Sequence, residues 1–441
     1  MRYAIRASFF DFASQPEQAS QASQASQHAR YLEEGLLLIN QGKIDALIEW
    51  KNRDQFPEWQ DYTFYDLRDK LIMPGFVDTH IHFPQIGMVG SWGEQLLEWL
   101  EEYTFPAESE YHDTAFAERM ASTFLDQCLE NGTTSALIFG SVHQGSTDAL
   151  FAAAEQREMR IIAGKVMMDR FVPQALCEEV SESYQQTKQL IERWHNKGRL
   201  HYALTPRFAP TSTPALLSVV SQLKREYPDV WIQTHLSENP QEIAWVKELF
   251  PEHPHYLGVY HHYGLTGPKS VFAHCLHLEE SEWQCLAQTH SSISFCPTSN
   301  LFLGSGLFNL RKAHQHKVKI GMGTDIGAGT SFSLLRTLSE AYKVQQLQQY
   351  SLSVAEAYYH ATLGGAASLS LDDKIGSFMP GKEADFIVID LAVTPLQKLR
   401  QSRCRDIWEK LFVLMTLGDE RNIRQTWVNG RCAFQRHESL A

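Results

Sequence analysis

His80 and His82 lie in the run PGFVDTHIHFPQ, residues 74–85. Side chains at i and i+2 of a strand leave the same face, so the two imidazoles would project together as a bidentate pair for a divalent metal. Two packing or surface histidines are the plainer alternative in a chain with 19 of them. Further ligand types follow downstream: His235 and Glu238 in WIQTHLSEN, His274 in VFAHC and Asp325 in GMGTD. Neutral imidazoles and a carboxylate hold Zn2+ with an open position, and the metal brings the pKa of its water toward neutrality while a nearby carboxyl group moves protons. In that scheme Glu238 is the proton shuttle. Asp325 could both ligate the metal and accept the water proton, and His274 could hold or polarise the water. The chemistry is metal-assisted hydrolysis.

Residues so far apart need a fold that gathers them. From about residue 71, eight apolar β-type runs alternate with helical stretches: LIMPGFVDTHIH, TSALIFG from Thr134, RIIAGKVMM from Arg160, LHYALTPRF from Leu200, VWIQTHLSE from Val230, SVFAHCLHL from Ser270, SISFCPTSN from Ser292 and KIGMGTDIG from Lys319. Continuous apolar strands separated by helices are the pattern of a parallel sheet covered by helices. Eight in sequence predict an α/β fold, a closed (β/α)8 TIM-like barrel over residues 73–372 whose strand C-terminal ends converge on one face. Residues 1–72 and 373–441 carry short strands with turns, and the expectation is that the two termini meet in a small discontinuous β-sandwich domain. Between its first strands lies the repeat QASQASQAS, Gln18 to Ser26, with too few apolar residues to pack. A surface loop is expected there.

Composition narrows the function. The chain has 441 residues, 43% of them hydrophobic, and a formal net charge of -13, which argues against non-specific nucleic-acid binding. No apolar run reaches the roughly 18 residues that span a bilayer, and Arg6 and Asp11 interrupt the N-terminal apolar stretch, which makes a poor signal peptide. The seven cysteines are scattered and odd in number, with no CxxC pair, which reads as reduced thiols. A cytoplasmic protein is expected, with no nucleic-acid or membrane partner.

These residues resemble the amidohydrolase superfamily, and more closely its guanine deaminase family. The narrower matches are HFPQ at 82–85, GEQLLEWLEEYTFPAE at 93–108, TPRFAPTS at 205–212, THLSEN at 234–239, FCPTSN at 295–300 and GTDIGAGTSFSLL at 323–335, followed by IGSFMPGKEADFIVID near the C-terminus. The resemblance implies hydrolysis of guanine to xanthine and ammonia, with one zinc ion per chain held by His80, His82, His235 and Asp325. Glu238, His274 and Asp325 would form the catalytic set. His82, Phe83, Pro84, Gln85, Arg207, Phe208, His235 and Asp325 would bind guanine, and the family habit is a homodimer.

Chemistry is compatible with those assignments. Guanine offers a planar face for Phe208 and a carbonyl for Arg207, and Gln85 has both a donor and an acceptor. Each has a bland counterpart: an Arg207 paired with a carboxylate, a Phe208 packed in the core, and a Gln85 that caps a turn. Trp92, Trp99 and Phe105 are candidates to wall the pocket, but such aromatics are more often core. A bridging lysine for a second metal is missing from strand four, and Lys165 in strand three is more simply a packed or salt-bridged residue. The HxE and PCxxC segments of other base deaminases are absent. Rival readings are a related hydrolase acting on a pterin, a triazine or an oxidised purine, a binuclear amidase, and a barrel without catalysis.

Overall fold

The computed structural model describes residues 1–13, 27–93 and 95–437. Two sheets organise it. Strands β5 (Phe76–His82), β6 (Thr133–Phe139), β7 (Arg160–Gly164), β9 (Leu200–Pro206), β10 (Trp231–Leu236), β11 (Ser270–His274), β12 (Ser292–Phe295) and β13 (Lys319–Met322) run in that order, all parallel, and the two-residue β8 (Val166–Met167) adds to β9 beyond Lys165. These are the eight runs read from the sequence. Nearly every barrel-strand residue is buried, because side chains fill one side of each strand and helices cover the other.

The covering helices follow from local chemistry. Thr114–Glu130 begins where the Asp113 carboxylate accepts from the N–H groups of Ala115 and Phe116, satisfying donors that the first turn leaves free. Ala117, Ala121, Phe124, Leu125 and Cys128 then bury one helical face against the barrel. The segment between β5 and this helix is long and unusual. It contains a 3-10 turn at Phe83–Met88, a short helix at Leu96–Trp99, a wide π-helical turn at Leu100–Thr104 and another short helix at Phe105–Ser109.

The termini meet in a seven-stranded mixed sheet of order β16-β15-β14-β4-β1-β2-β3. Its strands are β1 (Arg2–Phe12), β2 (Ala29–Asn40), β3 (Lys43–Glu49) and β4 (Thr63–Pro74) from the N-terminal part, with β14 (Phe386–Ile389), β15 (Ile423–Val428) and β16 (Arg431–Gln435) from the C-terminal part. The two parts join where β14 pairs antiparallel with β4, Phe386 opposite Pro74. Ile5, Phe9, Leu37, Ile39, Ile72, Phe386 and Trp427 form its core. Leu71 to Pro74, read from the sequence as the start of the first barrel strand, belong to β4 of this sheet. The barrel strand starts only after Gly75, where an added Cβ would lie 2.2 Å from Thr134 Oγ1, so the chain crosses between the sheets at a residue without a side chain. The QAS repeat lies outside the described residues. Among the described residues no helix is long and apolar enough to cross a membrane.

Buried charge ties the terminal sheet to the barrel. Glu383 accepts from Arg160 at 2.7 and 2.5 Å and from Arg199 at 3.0 Å, while Arg199 also pairs with Asp385. Although burial alone would raise it, the two guanidinium groups hold the Glu383 carboxyl down at about 2. Removing one partner of such a set leaves buried charge uncompensated. Glu383→Ala should therefore cost roughly 3–5 kcal/mol, read as a fall in denaturation midpoint; a loss under about 1 kcal/mol would show that Arg160 and Arg199 find water or other partners.

Candidate active site

The strand C-terminal ends bring all six candidate catalytic and metal residues together. His80 Nε2 and His82 Nε2 are 3.2 Å apart, and His235 Nε2 is 3.2 Å from His82 Nε2. Asp325 Oδ1 lies 3.2 Å from both His80 Nε2 and His82 Nε2. Four ligands about 2.0 Å from a tetrahedral zinc ion are separated by roughly 3.3 Å, so these spacings fit a shared cation. The ring protons agree. His235 Nδ1 donates to Arg207 O at 2.7 Å, which leaves the Nε2 lone pair facing its neighbours, the second contact that metal-binding histidines use.

Burial keeps three of the imidazoles uncharged. It pushes His82 down to about 4 and His274 down to about 3, and takes His235 well below the usual histidine range. Burial would by itself raise Asp325, but the adjoining His80, His82 and His274 hold its carboxyl well below its ordinary value. A carboxylate among neutral imidazoles is the donor set that a divalent ion prefers. Cys296 is also within reach of His80 and Asp325. Burial pushes its thiol well up, its sulfur lies 3.6 Å from Ser294 O, and a protonated thiol is a poor ligand.

Glu238 and His274 stand beside this cluster. His274 Nε2 is 3.4 Å from Glu238 Oε2 and 3.9 Å from Asp325 Oδ2. The Asn300 amide donates to His274 Nδ1 at 2.8 Å, placing the imidazole proton on Nε2, toward the two carboxyl groups. Ser305 donates to Glu238 Oε1 at 3.0 Å, and the Glu238 and Asn239 N–H groups both donate to Glu242. Burial first, then the charges of Asp325 and Glu242, lift the Glu238 carboxyl well above its ordinary range, which suits a group that takes up and releases a proton near neutrality.

Backbone strain marks the same places. His274 has φ 72° and Asp325 φ 52°, left-handed values that cost a non-glycine residue of order 1–3 kcal/mol and cluster at functional sites. Asp325 is held there by its N–H, which donates to His80 O at 2.9 Å. Beside it, Asp78 accepts from the Thr324 N–H at 3.1 Å, from the Thr324 hydroxyl, and from the His80 N–H at 3.2 Å. Burial pushes the Asp78 carboxyl up to about 7.

A cavity opens over the cluster. Gln85, Arg207 and Phe208 line it with His82, His235, Glu238, His274 and Asp325. Both readings of Arg207 apply, since its Nη1 lies 2.8 Å from each oxygen of Glu108. Gln85 also turns to Glu108, donating from Nε2 at 2.9 Å. Phe83 and Pro84 are not among the lining residues. Phe83 packs at 5.0 Å on Tyr111 and 5.6 Å on Phe124, because the 3-10 turn after β5 rotates it into the core while Gln85 stays over the cavity.

Other wall residues went unread. Trp99, whose spacing suggests core packing, lines the cavity with Leu96, Leu100, Leu303, Ala328 and Glu242. Phe105 sits under the Arg207 guanidinium at 5.6 Å, and Trp92 is exposed. Phe139, at the end of β6, packs its ring 4.7–4.9 Å from His80, His82 and His235 and floors the cluster; it read as one more apolar strand residue. Glu108 is one of several glutamates in its segment, and only its apolar neighbours Phe105 and Tyr111 hint at burial. Lys165 is salt-bridged to Glu178. A second cluster, His314, Glu356 and His360, is internally bonded: the Tyr350 hydroxyl reaches both Glu356 oxygens and His314 Nε2 lies 2.6 Å from Oε1.

Comparison with known proteins agrees with this geometry. The amidohydrolase family model matches residues 71–433. Guanine deaminase of Escherichia coli (strain K12) is 58% identical over 438 residues, 98% of each chain. The solved E. coli guanine deaminase superposes with a TM-score of 0.95 over 99% of this chain and all of that one, at 56% identity. Guanine deaminase from C. acetobutylicum, solved with bound guanine in the active site, gives a TM-score of 0.88 at 28% identity over 98% of this chain and all of that one.

Asp78 touches no ligand atom of the cluster yet ties Thr324 and His80 into place. Asp78→Asn should weaken divalent-ion binding by roughly 10–100-fold, measured by competition with a chelator. Unchanged affinity would separate the Asp78 bridge from the metal ligands.

Proposed function

The chain belongs to the amidohydrolase family, and to the guanine deaminases within it, and from that premise we propose that it hydrolyses guanine to xanthine and ammonia. The observation that carries this reading is the polarity of the cavity: a cation-ready cluster with a buried carboxylic acid at one end, and an amide, a guanidinium and an aromatic face at the other. The E. coli protein named guanine deaminase supports it at 58% identity, and so does the guanine seen in the C. acetobutylicum structure. In this reading residues 73–372 are the catalytic unit, residues 1–72 and 373–441 support it, and the protein works as a cytoplasmic homodimer in purine breakdown.

His80, His82, His235 and Asp325 would hold one zinc ion per chain. That ion would supply a water acidic enough to react at neutral pH. Phe208 stacks on the purine plane, the free N–H groups of Arg207 donate to the ring carbonyl, and Gln85 meets the N–H edge. Glu238 carries a proton from the attacking water to the ring nitrogen beside C2, so that C2 can become tetrahedral. Asp325 and His274 orient the water. As the C2–N bond breaks, the hydroxyl added at C2 becomes the carbonyl, and its proton passes by way of Glu238 or Asp325 to the departing amine, which leaves as ammonia.

The test is ammonia release from guanine beside adenine, cytosine, a pterin and a triazine, with bound metal counted in the same preparation. Guanine alone, or far ahead of the others, is the expected result. Turnover of another heterocycle with guanine inert would keep the hydrolytic site and replace the substrate. Glu238→Gln should retain metal and bind guanine while kcat falls by about 10²–10⁴; a near-normal rate would remove Glu238 from proton transfer. At Gly327, φ is 122° and an added Cβ would lie 1.8 Å from Gln85 Oε1. Gly327→Ala should therefore leave metal content intact and raise KM for guanine about tenfold, whereas an unchanged KM would take Gln85 out of substrate recognition.

A further inference from the structure

Glu108 has no part in the reaction above, yet it is fully buried and both residues that would read the purine edge bond to it. Arg207 is 3% exposed. A guanidinium alone in a cavity walled by Leu96, Trp99 and Phe208 would draw an anion strongly, because charge is poorly screened there. The Glu108 carboxylate, 2.8 Å from Nη1, cancels that charge. The same contact orients Gln85: with Nε2 committed to Glu108, the atom left for a ligand is Oε1, an acceptor. An acceptor suits an N–H edge and opposes a deprotonated one. Of the titratable groups that feel Glu108, burial pushes the Tyr111 hydroxyl up and His143 down, and Lys165 beyond them is paired with Glu178.

We propose that Glu108 is a specificity-determining positioning residue that makes the purine-reading end of the cavity electrically neutral and accepting, so that it takes an uncharged N–H edge and rejects an anionic one. This rests on the guanine reading. Its consequence falls on the product. Hydrolysis replaces an exocyclic amine with a carbonyl, leaving a ring N–H between two carbonyls, and such an imide proton is more acidic than its counterpart in the substrate. Xanthine thus becomes anionic as pH rises while guanine stays neutral, and a neutral, accepting cavity lets the ionised product go.

The experiment titrates the metal-loaded protein and its Glu108→Gln and Glu108→Asp variants calorimetrically with xanthine, on the acid and alkaline sides of xanthine's ionisation, and follows guanine turnover in the same samples. Wild-type protein should bind xanthine more weakly on the alkaline side. Glu108→Gln should bind the alkaline form at least roughly tenfold more tightly than wild type, and Glu108→Asp, which keeps the charge, should follow wild type. Identical pH dependence in wild type and Glu108→Gln would overturn the proposal. So would tighter alkaline binding by the wild-type protein, an arm that decides the matter even where Glu108→Gln fails to fold. Absent guanine turnover in wild type would overturn the substrate reading instead, and the xanthine titrations would still judge Glu108.

Discussion

Asp325 reaches the histidine cluster because the last barrel strand is tied to the first one. Its N–H donates to His80 O, and the preceding Thr324 gives both N–H and hydroxyl to Asp78, two residues before His80. Gly321 permits the approach, since an added Cβ there would lie 2.3 Å from Thr79. Closure of the barrel and assembly of the ligand set are therefore one event. Two of the proposed ligands, His80 and His82, come from the strand that opens the barrel and a third, Asp325, follows the strand that closes it, some 240 residues on in sequence, so a loose seam would also open the site. The left-handed backbone at Asp325 is the cost of aiming its carboxylate back across that seam.

The segment between β5 and the helix at Thr114 imposes a second constraint. It covers the cavity with Leu96, Trp99 and Leu100, and the same stretch delivers Glu108 to Arg207 and Gln85. Cover and counter-charge arrive together. The cavity consequently has two distinct ends: a floor of barrel residues whose lone pairs point at a common centre, and a wall whose charges are already paired. The proposed hydrolysis uses that division: the cation and the acid would act on the substrate while the recognition end would hold it without holding its ionised product.

Much of this was legible in sequence, for physical reasons. Eight apolar runs of buried strand length predict a parallel barrel, and the i, i+2 spacing of His80 and His82 predicts a shared face. Barrel geometry then makes His235, Glu238, His274 and Asp325 neighbours without any local signal linking them. What stayed hidden depends on backbone turns or on partners far away in the chain. Leu71–Pro74 read as barrel strand because an apolar strand looks alike in either sheet, and only Gly75 marks the crossing. Phe83 shares a motif with Gln85, but the 3-10 turn sends the two in different directions. Glu108 resembles the exposed glutamates around it until Arg207 is brought to it, and Phe139 has the composition of any core position although its ring packs on three of the clustered histidines.

One cation held by His80, His82, His235 and Asp325 at the barrel seam underlies the proposed chemistry. Anomalous diffraction at the zinc edge, from crystals of the protein as purified with zinc, measures this directly. The predicted result is one strong peak per chain, about 2.0–2.2 Å from His80 Nε2, His82 Nε2, His235 Nε2 and an Asp325 oxygen. Two peaks in the cavity, or a peak at the His314, Glu356 and His360 cluster with none at Asp325, would contradict it.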